Sequence, residues 1–478
     1  MKSVTKWIAM LMILAMTMAL LGGCKGKDTE SKEESETEES KSEVSDNTET
    51  ETTNTDSGGK KELSMWFWGA SDYQREAMDK YLVQAFNESQ DEYELTVEYR
   101  ASVDNDIAVA LSGGEGPDIV YGSGPAFVAG YATEGLFLNL DEYSEAYGWK
   151  DRVLNPCYEI CTIDGSLYSI PGGLTSTGVF YNKKVLEDNG WEIPETYEQV
   201  VEIMEQAMEK GLYAGLTGAK DWRYTNEMYV GMMLTHVAGS EAMYNVLTGN
   251  QKWNSTEIAE AMKVLDDWYQ NGYLAGDDYW NLDFNEAASM FANEQAPFFF
   301  GAFNVFQFIK NVATEEQCNN IGYIPLPNYD DSGNQTTSLG AICSFSINAN
   351  CKNPAGAAQV LDFMLSVEFS EGMSSEWPGY WGMPIKELAD VDVEAYSGIY
   401  KEYFLACMEV IDALDRGDFG YGAATCFPPS TYEASIDIDT VWFGEATIEE
   451  YLDNMDKAYE EDVANNAVPT IPKPEIGE

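Results

Sequence analysis

Histidine, a common proton carrier in enzyme active sites, is almost missing from this sequence. The 478 residues include one histidine, His236, which stands in an apolar helical pattern beside Met232 and Val237. A single imidazole in such a setting argues against most catalytic triads and most zinc sites, which use histidine. Carboxylates are plentiful, with 82 Asp plus Glu, so chance pairs of them do not indicate glycoside hydrolysis. We therefore predict no catalytic residue, no metal ligand and no cofactor.

Aromatic side chains are the second group of candidate functional residues, and the chain has 12 Trp and 29 Tyr. Three of the tryptophans, Trp222, Trp377 and Trp381, lie beside glycine, proline or charged residues rather than within helical patterns. Flat rings in loops can cover the apolar faces of a bound molecule. Trp222, Trp377 and Trp381 are therefore predicted to bind a ligand.

The charge balance excludes some classes of partner. The chain has 27 Lys plus Arg and 82 Asp plus Glu, which gives a formal net charge of −55. A field of this sign repels phosphate backbones and anionic membrane surfaces. We expect no nucleic-acid partner, and we expect membrane contact through a lipid anchor only.

The N-terminus predicts that anchor. Lys2 and Lys6 precede an apolar run over residues 7–21, which has the length of a signal-peptide core and is too short for a comfortable membrane span. The run ends in Leu-Gly-Gly-Cys at Cys24, a pattern that resembles a bacterial lipobox. The sequence predicts a signal peptide over 1–23, lipidation of Cys24, and a protein held at the extracellular face of the cell membrane.

A low-complexity acidic segment follows the predicted lipidation site. Residues 25–61 consist almost entirely of Lys, Asp, Glu, Ser, Thr, Asn and Gly. Such a composition buries too little apolar surface to offset chain entropy. We interpret residues 24–61, which include Cys24, as a tether that lifts the folded part off the membrane.

Seven further cysteines are scattered along the chain, mostly in apolar surroundings. An odd number in an exported protein leaves at least one thiol unpaired. We expect small buried residues with free thiols rather than a disulfide framework.

Beyond the tether, strand-like and helix-like segments alternate, which is typical of an α/β protein. Strands are predicted over 62–68, 94–99 and 118–121, with an amphipathic helix over 75–87 between the first two. Thr196 with Gln199, and Thr447 with Glu450, form capping boxes that predict helix starts. Residues 353–354, Asn-Pro, predict another.

Segments of this α/β region resemble the extracellular sugar-binding proteins of ABC importers, the group that includes the maltose-binding protein. The similar segments, in the family's order, are 116–121 (GPDIVY), 132–140 (ATEGLFLNL), 167–171 (LYSIP), 179–183 (VFYNK), 194–197 (PETY), 291–303 (FANEQAPFFFGAF), 321–327 (IGYIPLP), 345–355 (FSINANCKNPA) and 446–452 (ATIEEYL). Each segment is weak alone, and together they span nearly all of 63–462.

The resemblance implies an α/β, two-lobe, periplasmic-binding-protein-like fold of type II, with a hinge between the lobes. Lobe 1 is predicted over 62–174 and 343–376, and lobe 2 over 175–342 and 377–478. The resemblance also implies that the protein is a binding component, which captures a carbohydrate between the lobes. An oligosaccharide is the ligand we expect. The closed form would then deliver it to the permease subunits of an importer.

Further ligand-binding residues are predicted at strand ends, because open α/β sheets bind ligands at the carboxyl ends of their strands. Trp68, Asp72 and Tyr73 follow the first strand, and Ser123 follows the third.

Motif alignment to the resembling family carries over four positions. Phe303 stands where the family has a stacking Trp, and Thr175 occupies a hinge position that is a carboxylate in the maltose binder. Ser123 replaces maltose-binding residues, and Tyr432 lies close to a C-terminal stacking Trp. Because of these departures from the maltose binder, the motifs do not identify which sugar is bound.

Three alternatives stay open at the level of sequence. A secreted glycoside hydrolase would use paired carboxylates. A calcium-dependent adhesin would use the polar turn at 328–333, whose twelfth loop position is Leu339 rather than the required Glu. The same fold would also serve a ligand sensor or a binder of polyamines or peptides.

Overall fold

The computed structural model describes residues 59–220, 222–329 and 336–475. The signal peptide, Cys24 and nearly all of the predicted tether lie outside these residues, as does most of the polar turn at 328–333.

Thirteen strands are present in the described part of the chain. In chain order they are β1 (Lys61–Trp68), β2 (Tyr93–Arg100), β3 (Ile119–Gly122), β4 (Thr162–Ile163), β5 (Ser166–Leu167), β6 (Ser169–Pro171), β7 (Gly178–Asn182), β8 (Gly215–Leu216), β9 (Phe298–Gly301), β10 (Ile321–Pro325), β11 (Thr337–Leu339), β12 (Ser344–Ile347) and β13 (Phe419–Tyr421).

The α-helices of the same residues are α1 (Asp72–Met78), α2 (Ala85–Ser89), α3 (Val103–Ser112), α4 (Val128–Thr133), α5 (Asp141–Tyr147), α6 (Trp149–Arg152), α7 (Asn155–Glu159), α8 (Lys183–Asn189), α9 (Tyr197–Glu209), α10 (Thr225–Met233), α11 (Ser240–Leu247), α12 (Thr256–Gln270), α13 (Phe284–Ala292), α14 (Val305–Val312), α15 (Glu315–Asn319), α16 (Pro354–Met364), α17 (Val367–Glu376), α18 (Gly398–Asp415), α19 (Ala423–Cys426), α20 (Pro429–Ile436), α21 (Asp439–Trp442) and α22 (Ile448–Ala464). Short 3₁₀ turns cover Pro125–Phe127, Gly276–Asp278, Lys386–Asp390 and Val393–Ala395.

A five-stranded sheet in the order β2-β1-β3-β12-β6 forms the first half. β1 pairs in parallel with β2 and β3, and β12 runs antiparallel to β3 and β6. Alternate residues of β1, namely Leu63, Met65 and Phe67, are buried. This period-two pattern places them in the core between the sheet and its helices.

A four-stranded sheet in the order β10-β7-β9-β8 forms the second half. β7 is antiparallel to β9 and β10, and β8 is parallel to β9. Every residue of β7 and β9 is buried, as expected for strands covered on both faces. The first sheet draws its strands from both segments of predicted lobe 1, and the second from 178–325; the lobe boundaries themselves stay a prediction.

The predicted helix starts are confirmed. Thr196 and Thr447 cap the N-termini of α9 and α22 with complete capping boxes, and α16 begins at Pro354. The helix predicted over 75–87 exists, but a π-helical stretch at Asp79–Gln84 interrupts it between α1 and α2. Local periodicity does not report such a change in winding.

Two crossing segments pair with each other: residues 172–177 run from the five-stranded to the four-stranded sheet, and residues 340–343 enter the five-stranded sheet from β11. The first connects β6 to β7, and the second connects β11 to β12. Leu174 and Ala341 form an antiparallel bridge, and the amide of Ile342 donates to the carbonyl of Gly173 at 2.9 Å. These segments are the covalent connection expected of a hinge.

Gly173 is expected to tolerate no side chain, because a Cβ at this position would overlap the carbonyl oxygen of Tyr380. Gly173→Ala should lower the free energy of unfolding by about 3 kcal/mol in a urea titration. Gly130 in α4 has open space around the same position, so Gly130→Ala is the matched control. It should leave stability unchanged or raise it by up to ~1 kcal/mol. Equal stability of the two variants would contradict the close packing of the crossing segments.

None of the helices in the described part of the chain is both long and apolar enough for a membrane span. The seven cysteines of that part form no disulfide, and six of them are buried.

Candidate functional site

Two adjoining cavities lie where the crossing segments meet the ends of the strands. The hinge chamber has a volume of about 580 Å³ and is walled by both crossing segments, with Thr175 and Gly340 among its residues. The side chamber has a volume of about 560 Å³ and extends along α3 and α4. Both volumes lie in the range of small-molecule sites. The chambers share the residues Tyr121, Ser123, Trp222, Ala424 and Tyr432, so they form one continuous cleft.

The carboxyl ends of strands position much of the lining. Trp68 is the last residue of β1, Gly122 ends β3, and Ala302 and Asn304 directly follow β9. Ligand sites of open α/β sheets occur at such ends because loops converge there. Both sheets therefore contribute to one cleft.

Aromatic rings form the wall shared by the two chambers. The ring of Tyr432 stacks on Tyr224 with centroids 6.2 Å apart and an angle of 17°, and Phe127 meets it edge-on at 6.1 Å. Trp222 and Tyr224 keep 38% and 41% of their surfaces exposed, while one face of the Tyr224 ring is covered by Tyr432. Large exposed aromatic faces of this kind suit a molecule with apolar C–H surfaces.

Trp68 closes the hinge chamber from the side of the five-stranded sheet. Its indole Nε1 donates to the hydroxyl of Tyr380 at 3.3 Å, and the two rings lie 6.1 Å apart. This hydrogen bond fixes the indole, which is therefore preorganised for contact.

Two polar atoms of the hinge chamber have no partner among the described residues. Oδ1 of Asn304 and Oγ of Ser338 are both buried and both unpaired. Buried polar atoms are nearly always hydrogen-bonded, so such atoms in a cavity wall mark positions for a ligand or water. Gln307 is different, because its Oε1 already accepts from Trp377 Nε1 at 2.7 Å and from Gln74 Nε2 at 3.2 Å.

The ionisable lining is acidic. Glu227 lies in the hinge chamber, and Asp104 and Glu433 lie in the side chamber. Neither lining contains a lysine, arginine or histidine among the described residues. Burial raises the pKa of Glu227 from 4.5 to about 8, against the opposing effect of a hydrogen bond from the backbone of Ala424. The cleft therefore offers carboxyl groups and no basic side chain to a ligand.

Five of the predicted ligand-binding residues come together in this cleft. They are Trp68, Ser123, Thr175, Trp222 and Tyr432. Ser123 Oγ donates to Asp104 at 2.8 Å, and Thr175 Oγ1 accepts from the amide of Phe303 at 3.4 Å.

Three other predicted residues have no exposed surface and line neither chamber: Phe303, Trp377 and Trp381. Phe303 packs on Tyr323 with ring centroids 5.1 Å apart, and Trp381 stacks on Phe67 at 5.9 Å. The loop after α17 has the glycine and proline content of a surface turn, yet it folds beneath the five-stranded sheet. Trp377 and Trp381 pack against Tyr380, a lining residue of the hinge chamber, with ring centroids 4.8 Å and 5.1 Å away.

Asp72 and Tyr73 also lie outside both chambers, at the start of α1. The hydroxyl of Tyr73 accepts from Asn311 of α14 at 3.4 Å, and Lys310 lies 4.9 Å from its ring centroid. Tyr73 thus contacts the other half of the molecule beside the cleft.

Sequence reasoning missed Glu227, Asn304, Ser338 and Tyr121. The sequence around Glu227 could have indicated its importance, because Glu227 is the only charged residue of α10. All nine residues of this helix are buried. A charged side chain in such a helix requires a partner or a function. His236, by contrast, is 3% exposed, lines neither chamber, and contacts Asn328 Oδ1 at 3.1 Å. No group of three or more potential metal ligands occurs in the described residues.

Solved structures share this architecture. A chitin oligosaccharide binding protein superposes with a TM-score of 0.70, at 18% identity, over 85% of this chain and all of that one. The GacH receptor of Streptomyces glaucescens superposes with a TM-score of 0.66, at 16% identity, over 84% and 98%. The fold is therefore the two-lobe, periplasmic-binding-protein-like fold, as predicted.

The family follows from the sequence comparison. Residues 71–369 match the model of the bacterial extracellular solute-binding proteins, and the chain belongs to this family. The diacetylchitobiose binding protein NgcE of Streptomyces coelicolor is 23% identical over 283 residues, which are 56% of this chain and 60% of that protein. The multiple sugar-binding protein of Streptococcus mutans is 28% identical over 28% of this chain and 33% of that protein. The match thus spans less than two thirds of either relative.

Proposed function

We propose that this protein is a lipid-anchored extracellular binding component of an ABC importer, and that it captures a neutral oligosaccharide. The main support for the proposal is the cleft, which is lined by the rings of Trp222, Tyr224 and Tyr432 and by unpaired polar atoms of Asn304 and Ser338. Sugars need both, since their C–H faces are apolar and their rims carry hydroxyls. Relatives and structural neighbours whose names refer to sugars support the same ligand class.

The volume of the cleft supports an oligosaccharide over a single sugar ring. The two chambers together exceed 1,000 Å³ and meet at Tyr432 and Trp222. A chain with one unit in each chamber and a ring face on Tyr432 would use both. Lobe closure around it would create the shape that the permease subunits recognise.

Anionic sugars are expected to bind at least tenfold more weakly than neutral sugars of the same length. The cleft presents the carboxyl groups of Asp104, Glu227 and Glu433 and no basic lining residue, so the carboxylate of a uronate would meet further carboxyl groups without a cationic partner. Thermal-shift titrations with neutral and uronic-acid oligosaccharides check this. The neutral panel should include diacetylchitobiose, xylo-oligosaccharides, malto-oligosaccharides and raffinose. Stabilisation by uronates alone would contradict the proposal.

A cationic solute such as a polyamine is the second candidate, because the same three carboxyl groups favour positive charge. Spermidine and putrescine therefore belong in the same thermal-shift panel. Stabilisation by polyamines with no response to any sugar would assign the protein to this class.

Lipid anchoring rests on the Leu-Gly-Gly-Cys pattern at Cys24. Cys24→Ser in the full-length precursor is expected to shift the protein from the membrane fraction to the medium, since the thiol that would carry the lipid is lost. Immunoblots of cell fractions measure the shift. A Ser substitution at buried Cys407 controls for loss of a thiol elsewhere. Unchanged membrane association of the Cys24 variant would contradict the anchor.

A further inference from the structure

Glu227 is the most enclosed carboxyl group of the cleft. It lies in the first turn of α10, is 6% exposed, and forms part of the hinge-chamber wall. The backbone of Ala424, in α19, provides a hydrogen bond to its carboxyl group.

The groups that face Glu227 provide no positive charge. The titratable side chains close to it are tyrosines: a charge on Glu227 raises the pKa of Tyr229 on the same helix and of Tyr432 on α20. Arg223, just before α10, is paired with Asp437 at 2.8 Å and with Asp439 at 2.6 Å. The cleft lining adds no cation among the described residues.

A carboxylate in this position would be ionised at a large cost. Removal from water disfavours the charged form, and one amide donor without a cation does not compensate. The group lowers this cost by keeping its proton, which agrees with a pKa raised to about 8. Lobe closure around a neutral ligand would remove more water and favour the proton further.

We propose that Glu227 is a specificity-determining residue of the cleft, and that it contacts the ligand as a neutral carboxylic acid that donates a hydrogen bond to a sugar oxygen. This inference rests on the proposed function. The unpaired Oδ1 of Asn304 and Oγ of Ser338 line the same chamber and can accept from sugar hydroxyls. The acid adds a donor to this set, so a neutral sugar oxygen finds a partner.

Sugar affinity should therefore fall in alkaline solution. Ionisation of Glu227 removes the donor and leaves a buried charge against a neutral ligand. The dissociation constant of the wild type should rise about tenfold between pH 7 and pH 9. A cationic ligand would give the opposite sign, since it would pair with the carboxylate.

Calorimetric titration of a neutral oligosaccharide from pH 6 to pH 9.5 tests the proposal, with wild type, Glu227→Gln and Glu260→Gln. The amide introduced by Glu227→Gln keeps a donor and an acceptor but cannot ionise, so that variant should bind with a constant affinity across the range. Glu260 is an exposed residue of α12 outside both chambers, and its variant should follow the wild-type profile.

The protonation state is also measured without ligand, from the carboxylic-acid carbonyl band in the infrared difference spectrum between wild type and Glu227→Gln at pH 7. The band is expected in the wild type, and its absence would overturn the proposal. A flat or rising wild-type affinity profile would overturn the role of Glu227 while leaving sugar binding in place. A lack of heat with every sugar would overturn the proposed function and this inference together.

Discussion

Tyr432→Ala is expected to weaken oligosaccharide binding about thirtyfold. Tyr432 lies in the wall shared by the two chambers, so its ring faces a ligand in either one. The rings of Tyr224 and Phe127 pack against Tyr432 and fix its orientation, so the side chain of Tyr432 does not have to become ordered when a ligand binds. Truncation of a central aromatic residue of this kind costs about 2 kcal/mol of binding free energy. Calorimetric titration of both proteins with the same sugar measures the loss.

Tyr432→Phe is the matched control, since it keeps the ring and removes only the hydroxyl. It should bind within about threefold of the wild type if stacking dominates. A thermal melt of the alanine variant shows whether α20 still packs. Equal affinities of the alanine variant and the wild type, with both folded, would remove Tyr432 from the site.

Glu227→Gln is expected to stabilise the folded protein at alkaline pH relative to the wild type. Burial raises the pKa of Glu227 from 4.5 to about 8, so between these values the folded protein holds a proton that the unfolded chain has released. The stability due to this proton is fully present below pH 4.5 and is lost as the pH rises through 8. The total loss is on the order of 5 kcal/mol. A glutamine side chain does not titrate, so the variant escapes it.

Urea unfolding at pH 5, 6.5 and 8 measures this difference. The free energy of unfolding of the variant minus that of the wild type should increase with pH by roughly 4 kcal/mol. His236, whose pKa burial lowers to about 4, contributes equally to both proteins and cancels. Glu260→Gln should track the wild type. Parallel pH profiles for Glu227→Gln and the wild type would show that Glu227 is ionised in the folded state.

The fold was largely predictable because its signals are local or carried by family motifs. The first strand and the capping boxes of α9 and α22 are properties of short segments, and they appear as predicted. The π-helical stretch at Asp79–Gln84 was not predictable, since it depends on tertiary packing rather than on periodicity.

The site was predictable in part. Trp68 and Ser123 follow strands, so sheet topology alone places them at the cleft. Trp377 and Trp381 carry the same loop signals, but whether a loop faces solvent or a sheet is decided by packing across hundreds of residues. Glu227 and Ser338 were missed because their importance lies in what surrounds them, namely a missing cation and a missing hydrogen-bond partner.

A neutral oligosaccharide is expected to bind in the cleft between the two lobes. Isothermal titration of residues 59–478 with the neutral sugars at pH 7, with Tyr432→Ala titrated in parallel, measures this binding. We predict one site with a micromolar dissociation constant, about −8 kcal/mol, that weakens strongly in the variant. Binding of a sugar with equal affinity by both proteins, or no binding of any sugar, would contradict an oligosaccharide site at Tyr432.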